Sequence, residues 1–251
     1  AYAIGAQYLD AIGYEYNDDN IIYVSEEEIN DVLAQLNEAY PDLDVIVPQT
    51  ASLGQSVSFD GIGGDNYDVL MDYAQDLNVT DLFASDDYYN FCKKWYDWNQ
   101  QGYLSGDALT NDIAATTQVR SGTAMSYITA TKPGIRQQES NLCGPEMVVV
   151  QSGEDFLKST APACMPWCIA TNTVDETAAM EYLNELYTNE DLSRLLCWGR
   201  EGEEWVYTDD GHLTFPEGVD AYTSGYLHSV NWQMPNQFIA GVFEGDELDL
   251  W

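Results

Sequence analysis

The residues with the most specific chemistry in this sequence are aromatic rings set beside small or polar side chains. Seven tryptophans and 18 tyrosines occur among 251 residues, several of them in loops or at the ends of elements. Tyr127 follows Thr123, Ala124, Met125 and Ser126, and Trp167 stands in PACMPWCIAT, 162–171. An aromatic face is large, rigid and apolar. It can stack on the C–H face of a sugar ring while nearby Asp, Asn, Gln and Thr bind hydroxyls. Tyr127 and Trp167 are therefore candidate ligand contacts, and core packing is the competing account of each ring. Carboxylates are the other abundant chemistry. With 43 acidic residues, chance supplies many pairs with the look of a glycosidase acid and base. Glu201 with Glu203 or Glu204, in a glycine-rich loop, is the most notable of them.

Other chemistries find little support. No nucleophile elbow, P-loop or HExxH motif is present. The five cysteines include Cys164 and Cys168, four apart rather than at a CxxC redox spacing. Mostly buried free thiols are the plainer expectation. With only two histidines, His212 and His228, a Cys/His zinc site has a weak basis. The balance of 43 acidic against 8 basic residues gives a net charge of -35. That leaves too few cations to displace counterions from nucleic acid, and an anionic membrane surface would repel the chain. No apolar run approaches the ~20 residues of a membrane helix. A solvated acidic coat is the reading of the charge.

The elements that position these residues alternate between helix and strand, which predicts an α/β fold. Ala3, Ile4, Tyr8, Leu9 and Ile12 hint at a strand or short helix. Ser25 is an N-cap, Glu28 stands three residues on, and Ile29, Val32, Leu33, Leu36 and Tyr40 form a helical stripe. Leu43, Val45 and Val47 alternate as a strand closed by Pro48. Residues 49–64 read as a polar, glycine-rich loop, 67–77 as a helix and 79–83 as a short strand. After Ser85, the stripe Tyr88, Phe91, Cys92, Trp95 and Trp98 predicts a helix with a core face, ended by Gly102. A weak helix over 107–119 leads into the stretch 118–134. There Thr123–Ile128 alternates as a strand that ends at Lys132-Pro133-Gly134 and joins two halves of one folding unit. Residues 147–150 predict a strand and 167–170 another. Thr173 is expected to cap a helix with Ala178, Ala179, Tyr182, Leu183 and Leu186 inside. Asn189 starts the next, with Leu192, Leu195, Leu196 and Trp198 inside, and Gly199 stops it. Asp209-Asp210-Gly211 turns a hairpin between 205–207 and 213–215. The remainder, 216–251, is aromatic and loop-like.

In this order the elements resemble a known family. KKWYDWNQQGYLSGDALT (93–110) followed by VRSGTAMSY (119–127) is similar to extracellular solute-binding proteins of ABC importers, mainly those that bind sugars. IATNTVDETAAMEYLNELYTNEDLSRLLCWGREGEEW (169–205) resembles that family's helix pair. Its ending is similar to the GxEGxxY form of a lipoprotein-like branch, on Gly199, Glu201, Gly202 and Trp205. YPDLDV (40–45) and WQMPNQF (232–238) fit the same branch. The resemblance runs from about residue 25 to 238. It implies a periplasmic-binding-protein-like α/β fold of type II, two lobes joined by crossing strands, with the first lobe incomplete. Its segments would be 1–122 in the second lobe, 123–189 in the first and 190–251 back in the second. It implies binding without catalysis of a small solute, most simply a sugar or oligosaccharide. No cofactor would be needed. ABC permease subunits would be partners, the chain would be monomeric, and it would work outside the cell on an upstream lipid anchor. Tyr127 would face the cleft, and Trp167, Trp198, Glu201 and Trp205 are further contacts. A glycan-active enzyme, a peptide or amino-acid receptor of the same fold, and a calcium-dependent surface module remain as alternatives. Arg120, Arg136, Arg194 and Arg200 are the available carboxylate clamps for the receptor reading.

Overall fold

The computed structural model describes residues 1–48, 57–62, 67–153, 155, 166–226 and 231–246. The chain forms two compact units, one of residues 1–131 and 143–164, the other of 132–142 and 165–251.

The first unit is built on a five-stranded sheet. Its strands are β1 (Tyr2–Gly5), β2 (Ile22–Tyr23), β3 (Asp44–Val47), β7 (Ala124–Ile128) and β8 (Met147–Gln151). They lie in the order β2-β8-β1-β7-β3. β1 runs antiparallel to both its neighbours, while β2 is parallel to β8 and β3 to β7. The carboxyl ends of four strands therefore meet at one edge, where β1 begins at Tyr2. β7 and β8 are buried along their whole length. This is the expected state of strands covered on both faces.

Helix α1 (Ala6–Ile12) follows β1 directly and ends at Gly13, whose φ of 72° needs a residue without a Cβ. Helix α2 (Glu26–Ala39) begins where Ser25 accepts the Glu28 amide, and three acids occupy its first turn. It buries Ile29, Val32, Leu33 and Leu36 against the sheet, alongside Ile4, Val45, Met125 and Val148. Ser25→Ala removes the cap and is expected to lower stability by about 1 kcal/mol, read by urea unfolding. Helix α3 (Asp86–Gln100) is capped by Ser85 in the same way. Its predicted core stripe is only partly internal, because Trp98 is buried while Cys92 is exposed. The rings Phe83, Tyr88, Phe91, Trp95, Trp98 and Tyr103 touch in succession, with centroids 4.9–6.5 Å apart. The stripe thus makes an aromatic ladder along the helix.

A small antiparallel sheet, β4 (Phe59–Gly61), β5 (Asp68–Leu70) and β6 (Val79–Asp81), covers its own apolar cluster of Val57, Phe59, Val69 and Leu82. The helix predicted over 67–77 is replaced by β5 and a tight turn. Asp72 and Tyr73 there have φ of 49° and 53°, which a regular helix does not contain. The weak helix expected over 107–119 shrinks to α4 (Ala115–Arg120). Much of the loop 49–64 lies outside the described residues.

The second unit holds α5 (Ile135–Cys143, reaching the unit's edge), α6 (Glu176–Thr188), α7 (Glu190–Trp198) and the hairpin of β9 (Val206–Tyr207) and β10 (Leu213–Thr214). Helix α5 has no counterpart among the elements predicted from sequence. The cap of α6 is Asp175, which accepts the Ala178 amide, in place of Thr173. Residues 166–170 form no strand. The inner faces of this pair are also narrower than predicted. In α6 only Leu186 is buried, and in α7 the buried residues are Ser193, Cys197 and Trp198. Asn189 does cap α7, accepting the Leu192 amide.

The contacts divide the chain at other points than 122 and 189. β7 hydrogen-bonds to β1 and β3, so 124–128 share a sheet with strands from 1–48. Residues 166–189 group with 190–251 in the second unit. The chain passes from the first unit to the second after Thr131 and again after Cys164.

Within the hairpin, His212 is fixed at both ring nitrogens. Nδ1 lies 3.1 Å from Asp210 Oδ2 and Nε2 lies 2.9 Å from the Asp246 carbonyl. A carbonyl and a carboxylate can only accept, so the ring that satisfies both is the imidazolium. The Asp210 hydrogen bond, with smaller help from the Asp246 carbonyl, raises the histidine pKa against a burial effect. Asp210 is lowered to about 2, first by the Thr208 hydroxyl and then by His212. The histidine contribution is complete below its unfolded value of about 6.5 and is lost as pH rises through the higher folded value. The thermal midpoint should therefore fall across this step in the parent, and His212→Gln should flatten it.

Candidate functional site

The strongest polar constellation of the first unit sits at the carboxyl edge of the five-stranded sheet. Glu26 opens α2 just after β2, and its carboxylate gathers three partners. Lys94 Nζ of α3 donates to Oε1 at 3.1 Å, Tyr2 OH to the same oxygen at 3.4 Å, and Ser152 Oγ to Oε2 at 2.5 Å. Burial opposes the negative charge, but Lys94 and the hydroxyls outweigh it and hold the carboxyl below its ordinary range. The Tyr2 phenol is raised by burial and by the neighbouring Glu26 charge, so it stays a donor. Lys94 also lies 5.1 Å from the centroid of the Trp98 ring, on which the Tyr2 ring packs edge-on at 6.3 Å.

One residue before Ser152, Gln151 donates its amide N–H to Asp155 at 2.8 Å, and the Tyr23 hydroxyl holds the other oxygen of Asp155 at 2.8 Å. The buried acceptor Gln151 Oε1 at this edge makes no hydrogen bond within the described residues. Buried polar groups ordinarily have partners. Gln151 is itself 7% exposed. A hydroxyl could donate to that oxygen. The place fits as well, since ligands of open α/β sheets sit outside the carboxyl ends of the strands.

No protein-family model matches the sequence. A search of curated proteins finds no match either. Solved structures do match. The N-glycan transport solute-binding protein NgtS from Streptococcus pneumoniae, in complex with Man5GlcNAc, aligns over 99% of this chain with a TM-score of 0.77 and 19% identity. This chain has the fold of a transport solute-binding protein. The same protein in complex with Man1GlcNAc gives a TM-score of 0.75 at 18% identity over 99% of this chain. NgtS described without a glycan gives 0.72 at 18% identity over 97%. This chain spans about half the length of these structures, 52–55% of each.

The predicted contact residues fall in different places. Tyr127 lies in β7, paired with Ala3 and 2% exposed, its hydroxyl 3.4 Å from Cys143 Sγ. Trp198 and Trp205 form the core of the second unit with Cys197, Leu213 and Ala240. Their indoles donate to the Ala240 carbonyl at 2.6 Å and the Gly199 carbonyl at 3.0 Å. All three rings are buried, at 1–4% exposure. Glu201 is exposed and bridges Trp205 through the backbone, while Arg200 takes Glu203 and Glu204. Trp167 alone of the four aromatic candidates is exposed, and its indole donates to the Gln233 carbonyl at 2.7 Å.

The residues of the sheet edge carry other signals in the sequence. Glu26 reads there as a helix-dipole residue and Trp98 as core. A cation was the available signal: in a chain with only 8 Lys and Arg, Lys94 inside an aromatic helix is a scarce charge. Among the cysteines, Cys143 and Cys197 are buried thiols, Cys92 and Cys168 are exposed, and Cys164 lies outside the described residues. Among the described residues no group of three His, Cys, Asp or Glu side chains is placed to hold a metal ion. No described helix is long and apolar enough to cross a membrane.

Proposed function

We propose that this chain belongs to the extracellular solute-binding component of an ABC importer and binds a neutral sugar or oligosaccharide without chemical change. The carrying observation is the fold match to NgtS over nearly the whole chain, in structures holding oligosaccharides. The sheet edge agrees with it. A charged carboxylate, a lysine, a phenol and a hydroxyl gather there over the buried Trp98 ring, polar groups of the kind that hold sugar hydroxyls. Glu26, held ionised, suits an acceptor better than a general acid, whose pKa must be raised. In this reading the protein is cell-surface attached through an upstream lipid anchor, delivers its solute to ABC permease subunits, and works as a monomer. The test is calorimetric titration against a panel of neutral oligosaccharides with a parallel assay for new reducing ends. Saturable binding without new ends is expected, and turnover would replace this reading by a glycan-active enzyme.

A further inference from the structure

In the second unit, residues 242–246 are strapped down by contacts that centre on one histidine. The strap runs beside β10: the Val242 carbonyl accepts the Leu213 amide at 2.7 Å, and the Leu213 carbonyl accepts the Glu244 amide at 2.8 Å. Phe243 packs on Trp198 and Phe215, with ring centroids 5.6 and 5.0 Å away. The strap then meets the start of α5 through two glycines that leave no room for a side chain. A Cβ on Gly245 would lie 2.3 Å from Gln137 Cβ, and one on Gly134 would lie 2.8 Å from the Asp246 carboxyl carbon. Beneath the strap is a cavity of about 30 Å³ walled by Gln137, Gln138, Asn141, Trp198, Phe243 and Glu244. The Gln138 side-chain oxygen is buried and makes no hydrogen bond among the described residues. The closed strap therefore carries a polar cost that entering water would relieve.

We propose that residues 242–246 are a pH-gated strap, closed while His212 is an imidazolium and released at its α5 end when the ring becomes neutral. The imidazolium donates to Asp210 Oδ2 at 3.1 Å and to the Asp246 carbonyl at 2.9 Å. A neutral imidazole has one N–H for these two acceptors. The proton stays at Nδ1, where the bond to the Asp210 carboxylate is charge-assisted. Nε2 then turns a lone pair on the Asp246 carbonyl, and the strap loses that anchor. The nearby charges push the same way. Asp210 of the hairpin and Asp246 of the strap act on the ring, and Glu244 lies two residues before Asp246. Losing the imidazolium leaves these acids with less to hold them together. From the α5 side, Lys132 interacts with Asp246 and Glu139, and burial lowers its pKa, so it is the rival group for a response at alkaline pH. The direction follows from the raised histidine pKa: the strap is closed below about 6.5 and opens as pH rises through the folded value.

This device does not depend on the solute reading. The test is hydrogen–deuterium exchange of the whole chain between about pH 6 and 9, with rates corrected for their intrinsic pH dependence. Protection of residues 242–246 should fall about tenfold or more as pH rises through the His212 value, the change expected from losing one buried bond. Protection of 178–186 in α6 should stay within about twofold over the same range. His212→Gln cannot titrate and should abolish the step. Asp210→Asn removes the carboxylate that raises the histidine and should move the step to lower pH, with no contact to Lys132 altered. The Asp210 side chain is 71% exposed, so this variant decides the matter if His212→Gln fails to fold. Strap protection that stays flat with pH, or a loss shared equally by α6, would overturn the proposal. So would a step that Asp210→Asn leaves in place, which would assign the response to Lys132.

Discussion

Trp198→Ala is expected to destabilise the protein by about 3–5 kcal/mol, the range for removing a large buried aromatic from a packed core. The ring is 1% exposed and sits among Cys197, Trp205, Leu213 and Ala240, with Phe243 tilted against it at 5.6 Å between centroids. Its N–H is the bond that ties α7 to the segment before Gly241, at 2.6 Å to the Ala240 carbonyl. Alanine leaves both a cavity and a buried carbonyl without that donor. Trp198→Phe keeps most of the volume and loses mainly the hydrogen bond, so it should cost roughly 1–3 kcal/mol. Urea unfolding followed by circular dichroism reads both. The sequence-level expectation of a ligand contact makes the opposite forecast: a variant as stable as its parent that no longer binds solute.

Lys94→Met should weaken solute binding about 10–100-fold while leaving the protein folded. Lys94 is the cation beside Glu26, and hydrogen bonds to charged groups contribute roughly 1.5–3 kcal/mol. Methionine fills the same length along Trp98 but removes the charge that helps hold Glu26 ionised. Glu26→Gln should cost a similar factor, and the double variant should lose less than the sum because the two side chains touch. The pH profile carries a matching signature. The folded pKa of Glu26 is lowered, so its contribution is whole above the unfolded value of about 4.3 and is lost only as pH falls through the folded value. Lys94→Met should shift that loss to higher pH, an effect that a general weakening of the fold would not produce.

Much of the architecture was legible where one local signal and one apolar period agreed. Ser25 with the stripe Ile29–Val32–Leu33–Leu36 marks α2, and Asn189 and Gly199 mark the ends of α7. Legibility failed where tertiary pairing decided. Residues 67–77 have a helical composition, yet Asp68–Leu70 pairs with two other strands and 72–74 turn through positive φ. On α6 the apolar period was real but did not mean burial, since Met180, Tyr182 and Tyr187 are about half exposed. The site was harder to read than the fold. Tyr127 alternates correctly, but alternation cannot distinguish a cleft face from the middle of a sheet covered on both sides. The Glu26 cluster joins residues 2, 26, 94 and 152, which no window of sequence brings together.

Hydrogen–deuterium exchange of the protein with and without a saturating neutral oligosaccharide addresses the central claim most directly. The sheet-edge site predicts slowed exchange at the start of α2 around Glu26, across 94–98 of α3 and over 151–153 at the end of β8, with the sugar recovered intact. Binding that leaves those three segments unchanged, or a sugar recovered as hydrolysed fragments, would contradict it.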